Sequence, residues 1–150
     1  MEKKGIDNVK TMCLMAQTKS ELNHASSLVI IDEAIEKAAK IVGERSRTYG
    51  RALRDKGDIL RGNPSKKEQM TECYTKAIDA IKMSNESGSE EDLIGIYRVL
   101  IEEHEQDKEQ GIHWLRECYQ LFEDTYGNAD KKSIKEQRAL ATGLLKHKFI

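Results

Sequence analysis

The residues of this chain whose type and spacing best suit binding chemistry are arginines on helical segments. Arg51, Arg98 and Arg138 each lie two residues before a leucine that is expected to face the core. Arg47 and Arg54 lie about one helical turn on either side of Arg51. Guanidinium groups bind carboxylates through charge-assisted, often bidentate hydrogen bonds. The five arginines are therefore predicted to bind an acidic segment of a partner protein. The alternative interpretation is solvated surface charge that is partly paired with nearby aspartates.

Histidines offer a second, less favoured site. His104 and His113 flank a predicted turn, and together with Trp114 they would form the pocket of a helical enzyme or small-ligand domain. Zinc sites use tighter ligand spacing than these histidines have, and no pair of neighbouring thiols is present. The sequence therefore predicts no metal site, no cofactor and no catalytic residue, and the protein is expected not to be an enzyme.

The three cysteines are predicted to be core residues. Cys13, Cys73 and Cys118 are odd in number, form no C-x-x-C pair and lie on apolar helical stripes. Reduced thiols of this kind are typical of cytoplasmic proteins, with the nucleus as the alternative compartment. No signal-peptide pattern and no apolar run long enough for a membrane span is found in the sequence.

Two serines raise the question of modification. Ser87 and Ser89 precede a run of acidic residues in a predicted loop, a pattern that an acid-directed kinase accepts. A phosphate at the start of the following helix would be electrostatically favoured. The preferred interpretation is that Ser89 is an ordinary helix N-cap.

The charge balance argues against several classes of partner. Lysine and arginine together number 25, aspartate and glutamate 26, and the net charge is −1. A general nucleic-acid or membrane-surface binder would show a basic excess, so neither partner is expected. The chain of 150 residues is predicted to form one domain, residues 1–150.

Apolar spacing at steps of three and four residues predicts an all-α fold. Seven helices are expected, at about 6–22, 25–43, 46–61, 65–84, 90–105, 108–126 and 131–147. The short linkers between them force neighbouring helices to run antiparallel. The expected architecture is about three helix hairpins with a seventh helix that caps the stack.

A weak internal repeat supports stacked hairpins. Glu72-Cys73-Tyr74 recurs as Glu117-Cys118-Tyr119, and the arginine-containing triplet at 51–53 recurs at 98–100 and 138–140. Such spacing is typical of helical repeat proteins. The spacing between matched residues on the first helices of the hairpins disagrees with the spacing on the second helices around the third hairpin. Either a loop is inserted near residues 85–92 or one alignment is out of register.

The segment Lys56–Leu60 followed by Glu72–Ile78 resembles a tetratricopeptide repeat, of the longer-period kind found in kinesin light chains. That family places a small residue at the Gly57 position, and a large and a small residue at the Tyr74 and Ala77 positions. Residues 123–128 are similar to the turn that follows the second helix in this variety. The resemblance covers residues 25–148, and the proline that often closes a unit is absent.

The resemblance implies a short right-handed solenoid whose concave face carries the arginines. The expected function is that of a scaffold or interaction module that binds a peptide or helix of another protein, as part of a larger complex or a longer chain. The alternative is a helical-bundle regulatory or assembly subunit that binds through an outer face.

Overall fold

The computed structural model describes residues 2–23 and 25–126, and this part of the chain is helical without strands. It contains six α-helices: α1 (Glu2–Glu21), α2 (Ser27–Val42), α3 (Arg47–Leu60), α4 (Lys67–Ser84), α5 (Ser89–Glu103) and α6 (Lys108–Tyr126). The all-α prediction is confirmed. The predicted seventh helix, about 131–147, lies outside the described residues.

Helix ends differ from the expectation in three places. α1 begins at Glu2 rather than near residue 6, although its first turns carry few apolar residues. A 3₁₀ turn over Pro64–Lys66 precedes α4, because the Asn63 side chain accepts a hydrogen bond from the Ser65 N–H and begins the turn. α5 begins at Ser89 itself, the residue predicted to precede it.

The described residues fall into two compact units, divided after Ser89. In the first unit α1 packs on α2 and α3, and α3 also packs on α2 and α4. The centre of α1, α2 and α3 is filled by small and medium side chains, which lets the helices approach closely. This core consists of Val9, Cys13, Ala16, Ile31, Ala34, Ala38 and Ala52.

Two glycines bring α3 close to α4. A Cβ atom on Gly57 would lie 2.7 Å from the Tyr74 ring, and one on Gly50 would lie 2.5 Å from Ile81. Tyr74 is fully buried, and its hydroxyl donates a hydrogen bond to Asp58. The lack of a side chain on Gly57 therefore leaves room for the Tyr74 ring of α4 against α3.

The second unit contains α5 from Glu90 onward and α6 among its described residues. α5 buries one stripe, Leu93, Ile96, Tyr97, Leu100 and Ile101. α6 buries Trp114, Cys118 and Phe122 at helical spacing. The two helices meet where the Tyr97 and Trp114 rings lie 6.3 Å apart, centroid to centroid. None of the described helices combines the length and apolar character needed to cross a membrane.

Candidate functional site

A groove of about 410 Å³ lies between α1 and α3 in the first unit. Its α1 wall is formed by residues at helical spacing, namely Ile6, Val9, Lys10, Cys13, Leu14 and Gln17. Its α3 wall follows the same spacing, with Arg47, Thr48, Arg51, Ala52, Arg54 and Asp55. Glu86, from the loop after α4, completes the rim. We call this cavity the α1–α3 groove.

The start of α3 is fixed by a serine cap, and this places the first arginine. The hydroxyl of Ser46 accepts a hydrogen bond from the Tyr49 N–H at 3.2 Å, so the helix begins at Arg47. Arg51 and Arg54 then follow one and two turns later on the groove side. The helix N-terminus adds its own positive field to the same end of the groove.

The groove carries more positive than negative side chains. Lys10, Arg47, Arg51 and Arg54 line it, together with the two carboxylates of Asp55 and Glu86. This excess contrasts with the net charge of −1 for the whole chain. The sequence-wide balance therefore conceals a local basic site.

Asp55 is the buried polar centre of the groove, with 5% of its surface exposed. Its Oδ1 accepts hydrogen bonds from Arg54 Nη2 at 3.1 Å and from Gln17 Nε2 at 3.0 Å. Burial raises the pKa of the Asp55 carboxyl, while the charge and hydrogen bond of Arg54 and the hydrogen bond of the Cys13 thiol act in the opposite direction. The arginine thus offsets part of the cost of a buried carboxylate, and α1 is tied to α3.

Cys13 lies beside Asp55 and is not suited to nucleophilic chemistry. Burial, followed by the charge and hydrogen bond of Asp55, raises the pKa of the Cys13 thiol to about 12. A thiol with such a pKa stays protonated at neutral pH, and the thiolate is the reactive form. The prediction that Cys13, Cys73 and Cys118 are core thiols is confirmed, since all three are buried and none forms a disulfide.

The three arginines of α3 differ in how they are held. Arg47 Nη1 donates a hydrogen bond to the Ser87 carbonyl oxygen at 2.9 Å, and Arg54 is paired with Asp55 at 3.1 Å. Arg51 is half-buried in the groove wall. Within residues 2–23 and 25–126 it makes no hydrogen bond and no ion pair, although its charge acts on Cys13 and Asp55. Of the three arginines of α3, Arg51 is the one whose side chain has no hydrogen-bond acceptor in the described part of the chain.

The structure brings three of the five predicted arginines together. Arg47, Arg51 and Arg54 line the α1–α3 groove. That they bind a partner stays a prediction. Arg98 is exposed on α5 in the second unit, and Arg138 lies outside the described residues. The prediction that Arg98 and Arg138 share the site stays a prediction.

Sequence reasoning missed the α1 side of the groove. Lys10 and Gln17 were not among the predicted binding residues, because the repeat resemblance begins at residue 25 and leaves α1 out. A signal was present: Ile6, Val9 and Cys13 recur at helical spacing, and Lys10 and Gln17 lie at the same spacing beside them.

The two histidines of the alternative interpretation lie in different environments. His104 is buried, and its Nδ1 lies 2.8 Å from the Leu100 carbonyl oxygen one turn earlier in α5. His113 packs against Trp114 with ring centroids 4.6 Å apart and lines a shallow surface depression on α6. Among the described residues, no three His, Cys, Asp or Glu side chains are grouped so that they could hold a metal ion.

Comparison of the chain with protein-family models, with curated proteins and with solved structures gives no match. The function must therefore be inferred from the groove.

Proposed function

We propose that the protein is a non-enzymatic interaction module that binds an acidic segment of another protein in the α1–α3 groove. The observation that carries this proposal is Arg51, a half-buried guanidinium without an ion pair or hydrogen bond among the described residues. A carboxylate of the partner would supply the acceptor that the protein itself does not provide. Lys10, Arg47 and Arg54 add attraction at longer range.

The apolar part of the groove determines the second requirement for the partner. Leu14 is 64% exposed and Ile6 half-buried, and both lie on the α1 wall. A partner segment with apolar residues beside its acidic ones would cover them. Apolar contacts would then supply most of the affinity, and the arginines would set orientation and association rate.

The packing of the first unit supports the proposed solenoid. α1 contacts α2 and α3, and α3 contacts α4, which is the pattern of two stacked hairpins with their first helices side by side. In such a stack the first helices line the concave surface, and the α1–α3 groove would be part of that surface. The tetratricopeptide-like arrangement remains our proposal for the whole chain, with buried free thiols supporting a cytoplasmic or nuclear protein.

Peptide selection tests this proposal directly. A phage-displayed random peptide library would be selected on the wild-type protein, with Arg51→Glu as the counter-selection target. We expect enriched peptides to combine Asp or Glu with apolar residues, and to lose binding to Arg51→Glu. Arg45→Glu is the matched control, because Arg45 is exposed and lies outside the groove lining.

Enriched peptides without acidic residues, or peptides that bind wild type and Arg51→Glu equally, would contradict the proposal. Helical content by circular dichroism must be equal in the three proteins for the comparison to hold.

One observation favours the alternative of an assembly subunit. Met15 is 48% exposed and Leu22 is 75% exposed, and their spacing places them on one face of α1. Two copies of the chain could cover this face by pairing. Light scattering of wild type and of a Met15→Glu, Leu22→Glu double variant tests this alternative. A wild-type dimer that becomes a monomer in the variant would support the assembly subunit. Monomers of both proteins would exclude it.

A further inference from the structure

The loop between α4 and α5, residues 85–88, lies against the start of α3. The backbone N–H of Arg47 donates to Glu86 Oε2 at 2.7 Å, and Arg47 Nη1 donates to the Ser87 carbonyl oxygen at 2.9 Å. Gly88 has a positive φ of 87°, and a Cβ atom there would lie 2.8 Å from Arg47 Nη1. The positive φ favours glycine at this position, and the absence of a side chain leaves room for the Arg47 guanidinium. The loop therefore holds Arg47 at the rim of the groove.

The two serines of this segment have different environments. Ser89 is 7% exposed, and its hydroxyl donates to the Glu86 carbonyl oxygen at 2.6 Å. The side chain of Ser87 is exposed, and its hydroxyl makes no hydrogen bond within the described part of the chain. Of the two hydroxyls, Ser87 is the one that a modifying enzyme can reach.

The residues that follow Ser87 determine the class of enzyme. Glu90, which is half-buried, lies three residues after Ser87 and is followed by the exposed Glu91, whereas the next residue, Asp92, is buried. A kinase whose substrate cleft is basic selects acidic residues at these positions through charge complementarity. Ser87 thus combines accessibility with an acidic sequence on its C-terminal side.

We propose that Ser87 is a phosphorylation site for an acid-directed serine kinase, and that its phosphate pairs with Arg47 and weakens the binding of acidic segments in the groove. In the reaction Ser87 Oγ attacks the γ-phosphorus of a nucleoside triphosphate. The new O–P bond forms as the bond to the bridging oxygen breaks. The nucleoside diphosphate leaves, and the hydroxyl proton passes to a base of the kinase.

The position of Arg47 gives the phosphate its partner. A phosphoserine carries about −1.5 to −2 charges at neutral pH and three acceptor oxygens. The guanidinium already contacts the backbone of Ser87, so it is within reach of a phosphate on that side chain. The carboxylate of Glu86 would repel the phosphate with one negative charge, but its Oε2 already accepts a hydrogen bond from the Arg47 N–H. The phosphate would place a dianion at a rim that now attracts acidic ligands.

Mapping the site is the first part of the test. The purified protein is incubated with an acid-directed serine kinase and ATP, and its peptides are sequenced by mass spectrometry. We expect one phosphate on Ser87, none on Ser89, and no phosphate in the Ser87→Ala variant. Phosphate on Ser89, or no phosphate on Ser87, would overturn the assignment.

The pairing with Arg47 has its own readout, which does not depend on any ligand. In a ³¹P NMR titration, the phosphoserine of the wild-type protein should lose its second proton at lower pH than that of the Arg47→Gln variant, because the guanidinium stabilises the dianion. Identical titrations in the two proteins would exclude the pairing.

The effect on the groove rests on the proposed function, and a peptide from the library selection tests it. We expect phosphorylated wild type to bind about tenfold more weakly than unmodified protein, and kinase-treated Ser87→Ala to bind unchanged. Equal affinity before and after phosphorylation would contradict the effect on groove binding, but Ser87 would still be a phosphorylation site. Absence of peptide binding by unmodified protein would remove the proposed function and the coupling together.

Discussion

α3 contributes to two charged surfaces that are built from similar residues but differ in how their charges are paired. The α1–α3 groove contains Lys10 and three arginines with Asp55 and Glu86. The second surface, which we call the α2–α4 surface, is lined by Asp32, Ile35, Tyr49, Leu53, Lys56, Gln69, Glu72, Cys73 and Lys76. On the α2–α4 surface Lys56 pairs with Asp32 at 2.8 Å and Lys76 with Glu72 at 3.0 Å.

The difference lies in pairing rather than in the number of charges. Each lysine of the α2–α4 surface has a carboxylate of its own protein beside it, so an acidic ligand would have to displace that carboxylate. In the groove Arg51 has no such carboxylate within bonding distance among the described residues. Our proposal is that the lack of an internal partner for Arg51 among the described residues distinguishes the groove as a binding site, and the predictions below test this distinction.

The largest expected effect concerns the contact between α3 and α4, because α3 contributes residues to both surfaces. In Gly57→Ala the new Cβ would lie 2.7 Å from the buried Tyr74 ring. Such overlap costs about 1–3 kcal/mol, whereas the better helix preference of alanine returns at most about 1 kcal/mol. We expect a lower free energy of unfolding, measured by urea denaturation followed by circular dichroism.

Gly95→Ala is the matched control for that substitution. Gly95 lies inside α5, and a Cβ there would meet no atom within 4 Å. Only the helix preference changes, so stability should rise by about 0.5–1 kcal/mol. Equal effects of the two alanines would show that α3 and α4 do not approach each other as closely as described.

Asp55→Asn tests how much the negative charge of Asp55 reduces the positive potential of the α1–α3 groove. The amide keeps an oxygen for Gln17 and Arg54 but removes one negative charge next to the proposed ligand site. We expect the affinity for an acidic peptide to rise about two- to fivefold. Unchanged or weaker binding, measured by fluorescence anisotropy, would show that Asp55 does not limit the positive potential of the groove.

The same variant gives a pH prediction with a defined sign. The pKa of Asp55 is raised in the folded protein above its ordinary value of 3.8, so the folded state takes up the proton first as pH falls. As pH falls from neutral toward 3.8, the free energy of unfolding of wild type should therefore rise relative to that of Asp55→Asn. A stability difference that stays constant or moves the other way would contradict the raised pKa.

The smallest effect is expected on the paired surface. Lys56→Glu breaks the ion pair with Asp32, whose side chain is 56% exposed. Exposed ion pairs contribute about 0–1 kcal/mol, so the loss of stability should be small. Binding of the acidic peptide should stay within about twofold of wild type. A large loss of binding would move the site to the α2–α4 surface.

The sequence predicts the helices well and the groove only in part. Periodic apolar residues fix the all-α class and the inner residues of α4, such as Met70, Cys73 and Tyr74, because local spacing carries that information. The hydrogen bond from Gln17 to Asp55 joins residues 38 positions apart. No local pattern encodes such a contact, so the packing of Gln17 on α1 against Asp55 on α3 was not predicted. Pairing of an arginine with a neighbouring aspartate, as Arg54 makes with Asp55, is part of the alternative interpretation drawn from the sequence.

The most direct measurement of the central claim compares single charge reversals on the two surfaces. A selected acidic peptide would be titrated by fluorescence anisotropy into wild type, Arg51→Glu and Lys56→Glu, all at the same ionic strength and with equal helicity. A charge-assisted hydrogen bond is worth about 1.5–3 kcal/mol, so Arg51→Glu should weaken binding at least tenfold and Lys56→Glu by less than about twofold. Equal affinities for wild type and Arg51→Glu would contradict the account.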